Sequence, residues 1–252
     1  MTHIIRDLNA WRELRNNAYA NKTIGFVSTM GNLHAGHQSL LERSKQENEI
    51  NVLSIFVNPT QFNDKNDLAH YPRTEAADLA MAERLKIDVV FIPSVELMYP
   101  DDYHYQVQEN NISQILEGVI RPGHFNGMLT VVLKLLQIIK ATHAYFGEKD
   151  FQQFLLIKGL VNAFFIETEI IACPIVRMKE GLPLSSRNSR LSPEDLQLAA
   201  KFSQILQQKK SIDQIKQELI AQGFEIDYVE EQFNRRLAAV KFKNVRLLDN
   251  VY

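Results

Sequence analysis

The sequence predicts an α/β fold: a Rossmann-like, doubly wound parallel sheet followed by a smaller C-terminal α+β lid domain. Two observations carry this. Through the first two-thirds of the chain, short apolar runs alternate with longer stretches of helical spacing, and strand–helix alternation closes through right-handed crossovers into a parallel sheet. Near Cys173-Pro174 that rhythm stops, and a polar loop, a helix and short strand-like pieces follow. The boundary is therefore drawn between residues 1–174 and residues 175–252.

Strands are expected at residues 23–28, 50–57, 88–92, 144–146 and 169–175, and helices at 38–47, 74–86, 127–141 and 150–164. The run Ile24-Gly-Phe-Val27 lacks polar alternation, which marks a strand buried on both faces. Thr74 is placed to cap the second helix. Leu129, Val132, Leu133, Leu136 and Ile139 recur along the third at helical spacing, giving it one apolar face. A further helix is expected after Leu191-Ser-Pro, then a Lys/Gln-rich stretch near residues 207–210 and strand pieces at 225–229 and 245–248.

The 252 residues, 45% hydrophobic, can bury a sizeable core. A net charge of −2 offers no basic field for nucleic acid or anionic lipid. Lys134, Lys140, Glu167 and Glu169 interrupt the longest apolar runs before membrane-spanning length. Met1-Thr-His-Ile-Ile-Arg-Asp has no signal-peptide core, and the single cysteine, Cys173, excludes an intramolecular disulfide. The expectation is a cytoplasmic protein with no nucleic-acid or membrane partner.

The stretch Ser28-Thr-Met-Gly-Asn-Leu-His-Ala-Gly-His-Gln-Ser39 follows the first strand and leads into a helix. A helix N-terminus offers free N–H groups and a positive dipole to an anion. His34 and His37, three residues apart, can both donate to one phosphate there. Asn58-Pro-Thr-Gln61 and Gly147-Glu-Lys-Asp150 also follow strands, so all three clusters are expected at the carboxyl ends of the sheet, where such folds bind ligands. No glutamate or cysteine lies near the histidines at zinc-ligand spacing, and no protein-held metal is expected. The context Met-Gly-x-x-His-x-Gly-His matches the HIGH signature of the nucleotidyltransferase superfamily, which includes class I aminoacyl-tRNA synthetases.

With STMGNLHAGH, FVNPTQF, YPRT, EGVIRPGHFNGMLTVV, YFGEKDFQQ, LPLSSRN and RLLDN in that order, the chain resembles the pantothenate synthetase (pantoate–β-alanine ligase) family over nearly its full length. The resemblance implies an ATP- and magnesium-dependent condensation of pantoate with β-alanine through a pantoyl adenylate, releasing AMP and pyrophosphate, in a homodimer. Magnesium would be held mainly through the phosphates. It implies catalytic roles for His37 (proton donor), His34, Lys149 and Arg187. ATP would meet Met30, Gly31, His34, His37, Gly147, Lys149, Asp150, Val176, Leu184, Ser185, Ser186 and Arg187. Gln61 and Gln153 would hold pantoate, with β-alanine near Gln61. The residue types suit this chemistry, because adenylate formation needs fixed donors for the transferring phosphoryl group and no protein nucleophile.

The chain departs from the family pattern at four points, one being an interval between Tyr228 and Leu247 that reads as abbreviated against that pattern. Ser28 stands where proline usually precedes Thr-Met-Gly, an expected loosening of the pantoate-side turn. Met178-Lys-Glu-Gly181 replaces an acidic Asp-Gly pairing, and Pro183 replaces a small residue, both at the lid hinge. Two rival readings are weaker. Transfer of a nucleotidyl group to a phosphorylated acceptor needs a cationic acceptor pocket, whereas the glutamine pair suits a neutral polyol acid. A tRNA-charging protein would carry a KMSKS motif and an anticodon-binding module, and neither is in the sequence.

Overall fold

The computed structural model describes residues 2–252; Met1, where the expected first domain begins, lies outside them. Six strands, β1 (His3–Ile5), β2 (Ile24–Thr29), β3 (Ile50–Ile55), β4 (Val89–Phe91), β5 (His143–Gly147) and β6 (Glu169–Cys173), form one sheet in the order β1-β4-β3-β2-β5-β6. The β1–β4, β4–β3, β3–β2 and β2–β5 pairings are parallel. The chain builds outward from β2 through β3 and β4, then returns to its other side with β5. The strand order thus reverses between β2 and β5, the place where doubly wound sheets leave a crevice at the strand ends.

The helices are α1 (Leu8–Asn17), α2 (Ala35–Glu47), α3 (Lys65–Ala69), α4 (Glu75–Arg84), α5 (Val95–Met98), α6 (Glu117–Ile120), α7 (His124–Ile139), α8 (Phe151–Ala163), α9 (Pro193–Leu206) and α10 (Ile212–Ala221). Val27, Leu53 and Val90 pack with Leu41 of α2 and Ala82 of α4. Their strand neighbours Phe26, Val52 and Phe91 are equally buried and alternate to the opposite face. Two buried faces explain why β2 shows no polar alternation. Trp11 of α1, fully buried, ties α1 to α7 by donating from Nε1 to the Ile138 carbonyl at 2.7 Å.

The last third carries α9, α10 and an antiparallel meander of β7 (Glu225–Gln232), β8 (Arg235–Phe242) and β9 (Val245–Val251). Its core joins Phe202, Leu206, Ile215 and Leu219 of the helices to Val229, Val240 and Leu247 of the sheet. Ser192 caps α9 with Pro193 in the first turn, and Ser211 with Gln214 forms a capping box on α10. By backbone packing the chain separates into two compact units. One runs up to Leu33 and includes His37–Phe146 and Gln152–Cys173; the other comprises His34–Gly36, Gly147–Phe151 and Pro174–Tyr252. Two short segments from earlier in the chain therefore belong with the C-terminal residues.

Several expectations are corrected. The interval between the strand pieces expected at 225–229 and 245–248 contains a further strand, β8, and two two-residue hairpins, with Gln232 paired to Arg235 and Phe242 to Val245. The expected elements do not include α1, α10 or β1. Thr74 makes no side-chain cap bond to α4; its hydroxyl instead donates to Asp78 at 3.1 Å. No helix of the described residues is long and apolar enough to cross a membrane.

The RLLDN stretch lies in β9, where Asp249 takes a bidentate bond from Arg177 at 2.7 and 2.8 Å. The Asp249 side chain is wholly buried, so removing it takes the counter-charge from a guanidinium that is left with the Gly181 and Asn250 carbonyls. Asp249→Ala is expected to lower stability by about 3 kcal/mol, read as an earlier urea midpoint by circular dichroism; an unchanged midpoint would show the pair to be energetically idle.

Candidate active site

The first turn of α2 carries both histidines. His34 immediately precedes Ala35, the first helical residue, and His37 is the third. The His34 ring turns back over its own helix, and Nδ1 accepts from the Gly36 N–H at 3.1 Å. A Cβ at position 36 would lie 2.8 Å from His34 Cε1, so only glycine leaves room for this ring position. With Nδ1 accepting, the ring proton sits on Nε2. Burial and the Lys149 ammonium push the His34 pKa down to about 4, with Asp150 opposing. His34 is therefore a neutral imidazole with a fixed Nε2–H donor.

The turn between β2 and α2 is held from outside. Gly31 and Asn32 both have positive φ, and the Asn32 and Leu33 N–H groups donate to the buried Asp78 carboxylate at 3.0 and 2.8 Å. Asp78 on α4, together with Thr29, whose hydroxyl accepts from Gly31 N at 3.2 Å, fixes the turn. The loosening expected from Ser28 is thus met by a carboxylate that the sequence pattern did not reveal.

Gln61 ends a 3₁₀ turn, Pro59–Gln61, capped by Asn58. Asn58 is buried and donates to Gln61 Oε1 at 3.0 Å and to the Gly127 carbonyl at 3.2 Å. Its own oxygen accepts from the Tyr99 hydroxyl at 2.7 Å and that of Thr60 at 3.0 Å. Burial pushes the Tyr99 pKa up to about 12, keeping that hydroxyl a donor. The Gln61 carbonyl accepts from His124 Nδ1 at 2.8 Å, and His124 Nε2 faces Arg121 Nη1 at 3.1 Å. A Cβ at Gly127 would lie 2.3 Å from the Thr60 carbonyl oxygen, so α7 approaches the turn only because residue 127 is glycine. Gln61 Nε2 donates to Met30 Sδ at 3.1 Å. The structure thereby brings two expected site residues, Met30 and Gln61, together. Asn58, Tyr99, Asp78 and His124 serve the site by holding it; only the FVNPTQF and RPGH blocks signalled two of them.

The adjacent glutamines of α8 divide their work. Gln152 is buried, accepts from the Glu117 N–H at 3.1 Å and donates to the Ile112 and Ile115 carbonyls, each at 2.7 Å. The Gln153 side chain is half-buried and makes no hydrogen bond among the described residues, so its amide can serve a ligand.

Lys149 and Asp150 lie on the 3₁₀ turn Glu148–Asp150 after Gly147, their side chains 3.2 Å apart. Val176 and Leu184 are brought together by a bond from Leu184 N to the Val176 carbonyl at 3.0 Å. A Cβ on Gly36 would stand 3.8 Å from Leu184 Cβ, so this pair of residues runs beside the His34 turn. Ser185 caps the 3₁₀ helix Ser186–Arg190, its hydroxyl accepting from Arg187 N. Inside it, Asn188 donates to the Pro183 carbonyl at 3.0 Å. The side chains of His34, His37, Gln61, Lys149, Gln153, Ser185, Ser186 and Arg187 are all half-buried, neither locked in the core nor wholly solvated. Among the described residues no three His, Cys, Asp or Glu side chains cluster as a metal site.

The profile of the family described as Pantoate-beta-alanine ligase matches residues 3–252. The chain belongs to this family. Its relatives include the Pantothenate synthetase of Coxiella burnetii, 54% identical over 251 residues, covering 100% of this chain and 97% of the relative. That of Legionella pneumophila is 51% identical over 247 residues, covering 98% of each chain. The crystal structure of the Francisella tularensis pantoate-beta-alanine ligase, complexed with beta-gamma ATP and beta-alanine, aligns at TM-score 0.95 with 44% identity, over 100% of this chain and 97% of that one. The Thermus thermophilus pantothenate synthetase structure aligns at 0.90 with 34% identity and 99% coverage of both. Family membership and the six-stranded sheet with its small antiparallel partner agree with the fold class read from the sequence.

The His34 pKa sets a pH dependence. Well above about 6.5 the ring is neutral folded and unfolded alike. As pH falls from there towards about 4, the unfolded chain binds a proton that the folded one refuses, and stability drops. Urea unfolding at pH 8 and pH 5 is expected to show a larger loss in wild type than in His34→Asn. Equal losses would mean that His34 titrates normally.

Proposed function

We propose that the chain condenses pantoate with β-alanine using ATP, through an enzyme-bound pantoyl adenylate, releasing AMP and pyrophosphate. The observation that carries this reading is the match to pantoate–β-alanine ligases over residues 3–252, supported by relatives near half identity along the whole chain. In the first half-reaction the pantoate carboxylate attacks the α-phosphorus of ATP and pyrophosphate leaves. Negative charge spreads over the phosphoryl oxygens, and fixed donors that need no reorganisation stabilise it. His34 Nε2–H is such a donor, held by the Gly36 bond, and His37 is the proton donor beside it. Lys149 supplies a compact cation. Arg187 with Ser185 and Ser186 closes over the leaving phosphates, the lid role assigned to residues 175–252.

Gln61 and Gln153 hold pantoate, whose hydroxyls and carboxylate need groups that donate and accept. Gln61 keeps one amide N–H beyond its bond to Met30. β-Alanine binds near Gln61, and its amine attacks the adenylate carbonyl, expelling AMP. Asp150 takes a ribose hydroxyl, and adenine meets the backbone at Val176, with Met30, Gly31, Gly147 and Leu184 lining the nucleotide. ATP enters as its magnesium complex, with the cation held mainly through the phosphates. The assembly proposed is a cytoplasmic homodimer.

The decisive measurement is exchange of labelled pyrophosphate into ATP. It is expected with pantoate present and β-alanine absent, and not without pantoate; ADP as product, or no pantoate-dependent exchange, would exclude the adenylate route. In the same assay His37→Ala is expected to slow exchange by roughly 10²–10³-fold. Gln153→Ala should raise the pantoate KM more than the ATP KM, and the reverse pattern would move Gln153 to the nucleotide.

A further inference from the structure

We infer that Arg235 and Asn250 are positioning residues for Lys149, acting through the backbone of the Glu148–Asp150 turn. The inference rests on the phosphate role proposed for Lys149. Neither residue stands out in the sequence, although Asn250 closes the RLLDN block.

The geometry is a closed ring of bonds. The Asn250 amide donates to the carbonyls of both Glu148 and Lys149, at 2.9 and 3.0 Å. Its oxygen accepts from Arg235 Nη1 at 2.7 Å. The other arm of the guanidinium donates to Glu148 Oε1 at 2.8 Å and to the Tyr252 hydroxyl. That guanidinium is clamped between two rings, 3.9 Å from the centroids of Phe151 and of Tyr252. Arg235 and Asn250 are 5% and 2% exposed. The turn is thus gripped by its acidic side chain, by two consecutive carbonyls and by the residue that follows it.

Lys149 lies in the middle of the gripped segment, and its ammonium meets Asp150 at 3.2 Å. A lysine side chain is long and flexible, so its reach is set by where the backbone plants its Cα. Two carbonyls turned towards Asn250 fix that plane. An arginine suits the outer position because a planar fork can serve two acceptors and stack at once, which an ammonium cannot. A bond network meant only to add stability would not need to converge on the backbone of a cation whose charge acts on His34. β8 and β9 therefore do more than fill out a small sheet: they carry the ruler against which Lys149 is set.

The test compares Arg235→Lys, Asn250→Ala and Lys149→Ala in the full chain. Each is assayed for thermal midpoint, pantoate-dependent pyrophosphate exchange, the attack of β-alanine on preformed pantoyl adenylate, and the His34 titration by NMR. Arg235→Lys and Asn250→Ala are expected to slow exchange by roughly 10- to 100-fold, the scale of a misplaced catalytic group, and to raise the ATP KM. The β-alanine step should be unchanged, and the His34 titration should move up, the same shift expected of Lys149→Ala. If Arg235→Lys does not fold, Asn250→Ala carries the same comparison. Loss of both half-reactions together, or normal exchange in folded Asn250→Ala while Lys149→Ala is impaired, would overturn the inference alone. Normal exchange in Lys149→Ala would overturn the phosphate role of Lys149 and this inference with it.

Discussion

The hydrogen bond from the Gly36 N–H to His34 Nδ1 decides what the first turn of α2 can do. It makes Nδ1 an acceptor, which puts the ring proton on Nε2 and fixes the direction of that N–H. It also dictates glycine at position 36, because any side chain there would displace the ring. The Lys149 ammonium adds a second constraint by disfavouring a charged imidazole. A neutral donor beside a permanent cation is a suitable arrangement for a phosphate: the cation supplies charge, and the imidazole supplies direction without a second desolvated charge. His34, Gly36 and Lys149 are thus one device, though more than a hundred residues separate its parts.

The same division between residues that face a ligand and residues that hold them recurs through the molecule. Asn58 commits its side chain to Thr60, Gln61, Tyr99 and Gly127, and Gln152 commits its own to Ile112, Ile115 and Glu117, leaving Gln61 and Gln153 with amide groups to offer. Asp78 accepts the two N–H groups that would otherwise let the turn after β2 drift. In each case the holder is more deeply buried than the residue it holds. Burial strengthens the holder's bonds, because its groups have no competing water.

The parallel sheet was legible because strands buried on both faces read as uninterrupted apolar runs, whereas the candidate site was read from whole blocks, such as STMGNLHAGH and YFGEKDFQQ, standing in family order. What escaped has physical causes. β1 is only three residues long, below the length at which periodicity speaks. β8 escapes because its entry hairpin places Phe233 and Asn234 at positive φ, where Asn-Gly or Asp-Gly is the usual signal. α1 does carry a signal, Asp7 accepting from the Asn9 and Ala10 N–H groups, followed by a Trp11 that only tertiary packing explains. Asp78, Arg235 and Asn250 act across long sequence distances, and a side chain that bonds to remote backbone leaves no local pattern.

The placement of β2 at the reversal of strand order has a consequence for how the molecule comes to exist. β2 pairs on one side with β3, close behind it in sequence, but on the other with β5, where Gly25 meets His143. The bond from Ile24 to Thr142 that begins this pairing spans 118 residues. Closing so long a loop is slow compared with forming hairpins or helices. On a ribosome, β2 emerges and can pair with β3 while its second edge waits for nearly half the chain to follow. An apolar strand with an open edge is a template for other chains, so the reversal of strand order at β2 also creates the interval in which a nascent chain is most exposed to misassociation.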